Sequence, residues 1–69
     1  MRSFKVKGIK DNKYLDGILS VLVEVFNIRA EFFKPRLSRT YEVKIEGPDE
    51  EKAFNLFTLY AAKVGWKIE

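Results

Sequence analysis

Cysteine and histidine are both missing from the 69 residues of this chain. Without cysteine there is no disulfide framework and no thiolate metal site. Without histidine the commonest general base and the commonest metal ligand are gone. Glycine is scarce, and its four residues stand singly, so neither a Walker loop nor a dinucleotide-binding glycine pattern is present. Ser3, Ser20 and Ser38 have no elbow or base at nucleophile spacing. No apolar run approaches the roughly 20 residues that span a bilayer. The longest, residues 18–26, is interrupted by Ser20 and Glu24. The opening Met1-Arg2-Ser3-Phe4-Lys5 is too charged for a secretory signal. These absences lead to an expectation of a non-catalytic, cytoplasmic protein with no cofactor, no metal and no membrane partner. Lysine and glutamate are plentiful while glutamine is absent, a bias shared with thermophile proteins.

What is present is a dense apolar inventory. Hydrophobic residues make up 46% and aromatics 14% of the chain, enough to build a core in a single domain over residues 1–69. Residues 3–7 alternate, with Phe4 and Val6 on one side and Ser3, Lys5 and Lys7 on the other, which predicts a half-buried strand ending at Gly8. A polar loop follows through Lys10, Asp11, Asn12 and Lys13.

Residues 15–26 carry two conflicting signals. Leu15, Ile18, Leu19, Leu22 and Phe26 fall at helical spacing. Val21, Val23 and Val25 favour a strand, because branching at Cβ stiffens the side chain. The length of the run exceeds a typical strand, and Asp11 or Asn12 can cap a helix here, so helix is preferred. Such a helix is apolar nearly all round, and its back is free to meet a partner.

Residues 28–33 read as a second strand, with Ile28, Ala30 and Phe32 inward and Arg29, Glu31 and Phe33 outward. Pro35 and its polar neighbours make residues 34–39 a loop. Thr40 to Glu46 alternates cleanly, with Tyr41, Val43 and Ile45 inward. Pro48 in a first turn, and acids at 49, 50 and 51, announce a second helix whose stripe is Ala53, Phe54, Phe57, Tyr60, Ala61 and Val64. Lys63 and Gly65 close it, and residues 66–69 alternate once more.

The element order is β-α-β-β-α-β. It predicts an α+β, ferredoxin-like two-layer sandwich: an antiparallel four-stranded sheet, ordered 4-1-3-2, with two helices on one face. The plan sorts the charges. One end collects Lys7, Lys10, Lys13, Lys34, Arg36, Arg39 and Lys63 against Asp11 and Asp16, a local +5. The other collects Glu24, Glu46, Asp49, Glu50 and Glu51 against Arg2 and Lys52, a local −3. The net +3 conceals this polarity, which exists only if residues 15–26 are helical.

Two functions follow as expectations. Lys34, Arg36 and Arg39, aided by Lys10 and Lys13, suit phosphate contacts in RNA or single-stranded nucleic acid. The exposed sheet face lacks the base-stacking aromatics of the RNA-recognition motif, since Lys5, Lys7, Thr40, Glu42, Lys44 and Glu46 occupy it. Val6-Lys7-Gly8-Ile9 likewise falls short of the phosphate-cradling loop of acylphosphatases, which share the plan. The alternative is a homodimeric protein-interaction module that uses Phe33 and Val23. Asp49, Glu50 and Glu51 read as helix N-terminal charge rather than a metal site. Phe54, Phe57, Tyr60 and Trp66 read as core.

Overall fold

Alternation over six residues produces the first strand, β1 (Arg2–Lys7), in which Phe4 and Val6 are buried and Ser3, Lys5 and Lys7 are exposed. In the computed structural model, which describes residues 1–69, the remaining elements are α1 (Asn12–Val25), β2 (Arg29–Phe33), β3 (Thr40–Glu46), α2 (Glu50–Val64) and β4 (Lys67–Ile68). The strands form one open antiparallel sheet in the order β2-β3-β1-β4, which is 4-1-3-2 counted from the other edge.

The ambiguous valine-rich segment is a helix. Its N-cap is Asp11, whose Oδ1 accepts the Lys13 N–H at 2.9 Å. Leu15, Leu19 and Leu22 are buried on one stripe, while Val21, Val23 and Val25 lie on the exposed sides. A helix lets the three leucines share one face. A strand would have sent successive residues to opposite faces and split Leu15 and Leu19 from Leu22. The cap corrects one expectation. Asn12 and Lys13 belong to the first turn of α1, not to a loop.

β3 lies between β1 and β2, with Val43 opposite both Phe4 and Phe32. The core on this side joins Phe4, Val6, Val43 and Ile45 to the leucines of α1 and to Ala53, Phe57 and Ala61 of α2. Both helices therefore cover the same face of the sheet. Phe57 stands at the centre, 5.2 Å from the Phe4 ring and 6.1 Å from that of Trp66. Val64, assigned to the apolar stripe from spacing, is instead 46% exposed in the last turn of α2.

The start of α2 also departs from expectation. Pro48 lies before the N-cap, Asp49, rather than in the first turn. The Asp49 carboxylate does not cap its own helix. It accepts the Asn27 N–H at 2.9 Å and ties the α1–β2 connection to the head of α2. Gly47 makes this approach possible at φ +147°, since a Cβ there would lie 2.5 Å from the Asn27 carbonyl oxygen. Gly65 ends α2 in the left-handed conformation, φ 87°, as its position after Lys63 suggested. No helix is long and apolar enough to cross a membrane.

Candidate functional site

The two basic loops meet. The turn after β1 and the β2–β3 loop border one shallow depression of about 350 Å³, lined by Gly8, Ile9, Lys10, Lys34, Arg39 and Tyr41. Gly8 leaves β1 at φ 93°, and the path it allows brings Lys10 alongside Lys34 and Arg39 from the other loop. Lys10 precedes Lys34 by 24 residues and Arg39 by 29, and the β1–β3 pairing, with Lys7 opposite Thr40, brings the two loops to the same end.

The lining contains three cations and no carboxylate. The molecule's four ion pairs lie elsewhere: Met1 amine to Glu50, Arg2 to Glu51, Lys7 to Glu69 and Arg29 to Glu46. Lys10, Lys13, Lys34, Arg36 and Arg39 take part in none of them and are all exposed. Unneutralised cations around a concave surface raise the local potential and concentrate anions there. Arg36 stands outside the depression, on the turn, and Lys13 stands on α1, so the structure gathers three of the five basic residues singled out from sequence.

The turn that presents Arg36 has an unusual residue at its corner. The Ser38 N–H donates to the Pro35 carbonyl at 3.0 Å, closing a four-residue turn. Leu37, the third residue, has φ 69°, a conformation usually left to glycine. Its side chain is 99% exposed. The Ser38 hydroxyl oxygen accepts the Thr40 N–H at 3.0 Å and so fixes the loop's return into β3. Nothing in the sequence around Leu37 signalled a left-handed leucine.

A second depression, about 360 Å³, adjoins the first and shares Gly8 and Lys10 with it. Asp11, Tyr14, Tyr60, Val64 and Trp66 complete its lining. The Tyr14 ring is 65% exposed, and Tyr60 packs edge-on to Trp66 at 5.4 Å. The reading of Trp66 as core holds, with Tyr60 packed partly buried against it, while the sequence gave Tyr14 no role. The first turn of α1 and the last turn of α2 come together only in three dimensions, and there the three rings border a common cleft.

The opposite end carries the acids, with one correction. Arg29 lies there, 3.7 Å from Glu46, so five acids face three bases and the local charge is −2 rather than −3. Asp49, Glu50 and Glu51 do not converge on one point. They engage Asn27, the Met1 amine and Arg2 respectively. The Arg2 guanidinium also lies over the Phe54 ring at 3.8 Å. The exposed sheet face is a mosaic of charge, with Lys5 opposite Glu42 and Lys44 opposite Glu31. No protein-family model, no curated protein and no solved structure matches this chain.

Proposed function

We propose that the basic end binds single-stranded nucleic acid, RNA above all, by contacting its phosphates. The observation that carries this reading is the depression in which Lys10, Lys34 and Arg39 converge without a neutralising carboxylate. Arg36 and Lys13 flank it and extend the track. Exposed Tyr14 in the adjoining cleft favours single strands over duplex, because a ring can stack only on a base that is free of its pair. The chain contributes binding rather than catalysis, since no histidine or cysteine stands at either depression. The element order and sheet order support assignment to the ferredoxin-like plan, which by itself implies no function.

The test is a salt titration with short single-stranded oligonucleotides. Each phosphate contact on a single strand contributes about −0.7 to the slope of log K against log salt, so three contacts give about −2. Reversing Lys34, Arg36 and Arg39 to glutamate should abolish most of the affinity and flatten the slope. Absence of binding at low salt, or affinity indifferent to salt, overturns the reading.

A further inference from the structure

The two edges of the sheet differ. β4 offers only two residues, whereas β2 offers five and pairs on one side alone, with β3. Its sequence, Arg-Ala-Glu-Phe-Phe, contains no lysine, proline or glycine, and its pairing to β3 runs without a bulge from Arg29 to Phe33. Proline and bulges usually guard exposed edges, because their free N–H and C=O groups recruit other strands; here the only guards are Arg29 and Glu31, which are of opposite sign.

Apolar surface collects along this edge from both layers. Val23 of α1, 42% exposed, lies beside Ala30 in each of two grooves, about 430 and 520 Å³, that follow β2. Phe33, 50% exposed, projects from the other layer. Val23 and Phe33 share neither the helix layer nor the sheet face. The β2 edge is the surface that carries both.

We infer that two copies of this chain pair along β2, antiparallel, about a two-fold axis at Ala30. Antiparallel pairing about Ala30 sets Arg29 opposite Glu31 of the second copy, and Glu31 opposite its Arg29. It also sets Ile28 opposite Phe32 on the helix side and Asn27 opposite Phe33 on the exposed face. Within each chain Glu31 already faces Lys44 and Arg29 faces Glu46. The joined rows then read Lys44, Glu31, Arg29, Glu46, with the sign alternating at every strand. Centring the axis on Glu31 instead opposes two carboxylates, and centring it on Arg29 opposes two guanidiniums. Cross-strand pairs of opposite charge stabilise a sheet and like pairs destabilise it, so the Ala30 register is the favoured one.

The distribution of charge over the whole molecule agrees. Antiparallel strands place the basic loop after Phe33 of one copy beside the acidic end of the other. Two oppositely directed charge distributions attract at long range. Asp16 and Glu24 also line the groove and oppose close approach of the α1 helices. The decisive observable is therefore the crossed pair rather than affinity alone. None of the seam residues belongs to the basic depression, so substitutions at Arg29 and Glu31 leave its lining intact.

Sedimentation equilibrium of the full chain tests the inference, with circular dichroism to establish that each variant is folded. The unmodified chain should be a dimer at about 100 µM. Glu31→Arg and Arg29→Glu should each weaken self-association by roughly tenfold or more, as each sets like charges opposite one another twice. Mixing the two folded variants in equal amounts should restore the dimer, because the heterodimer again opposes arginine to glutamate at both positions. The double variant carrying both changes should dimerise by itself. A monomeric unmodified chain overturns the inference, as do single variants that dimerise undiminished or a mixture that remains monomeric.

Discussion

Replacing Gly47 with alanine should cost this fold most of its stability. The residue has φ +147°, a region that L side chains rarely adopt, which costs about 1–3 kcal/mol. Steric crowding adds to this. The new Cβ would lie 2.5 Å from the Asn27 carbonyl oxygen and 2.8 Å from the Ile28 Cα, both backbone atoms that no rotamer change can move. Overpacking of that kind costs about 1–3 kcal/mol more. Relief by shifting the turn would stretch the 2.9 Å hydrogen bond from the Asn27 N–H to Asp49. The sum, about 2–6 kcal/mol, is comparable with the whole stability of a domain this size, about 3–10 kcal/mol at the usual increment per residue. Urea denaturation followed by Trp66 fluorescence measures it. The same substitution at Gly17 supplies the contrast. That residue lies inside α1 with no neighbouring atom within 4 Å of the place its methyl group would take, so Gly17→Ala should stabilise by about 0.5–1 kcal/mol. Gly47→Ala within about 0.5 kcal/mol of the unmodified chain would refute the steric reasoning, since even a surface substitution can shift stability that much.

Asp11→Ala removes the N-cap of α1 and should cost about 0.5–2 kcal/mol in the same urea assay, while Asp11→Ser should recover most of the loss. Leu37→Gly should stabilise the chain or leave it unchanged despite losing a leucine, because the side chain is 99% exposed and left-handed backbone costs a non-glycine residue about 1 kcal/mol. A loss of more than about 1 kcal/mol for Leu37→Gly, a typical value for disrupting a real contact, would refute the reading of Leu37 as an exposed residue in a strained conformation.

Local signals in the sequence were legible where one element supplies both the signal and its reason. The alternation of Thr40 to Glu46 matches β3 residue for residue, because Val43 and Ile45 must reach the same core. The leucines of α1 outweighed its valines for a similar reason: burying Leu15, Leu19 and Leu22 together requires a helix. What escaped depended on contacts between elements. Asn12 and Lys13 look like loop residues until the Asp11 carboxylate accepts the Lys13 N–H and starts the helix early. Pro48 looked like a first-turn proline until Asp49 proved to be the cap, its carboxylate committed to Asn27. Arg29 belongs to the acidic end because of the strand register, which pairs it with Glu46. The cleft of Tyr14, Tyr60 and Trp66 depends on how two helix ends meet, and no single stretch of chain contains that information.

The two charged ends differ in more than sign. At the acidic end most charges have a structural task that the fold itself explains. Asp49 tethers Asn27, Glu50 meets the Met1 amine, Glu51 holds Arg2, and Glu46 faces Arg29. Glu50 and Glu51 also stand in the first turn of α2, where negative charge favours the helix. At the basic end the position is reversed. Lys10, Lys34, Arg36 and Arg39 form no ion pair, cap no helix, and hold no loop; the loop is closed instead by Ser38 and by the Pro35 carbonyl. Crowding like charges at one place works against the compact state, and no ion pair to these four side chains offsets it. A basic end that the fold does not require, beside exposed aromatic surface, is what a binding site for an external anion would look like, and the acidic end gives the measure of how charge is arranged when the fold does require it.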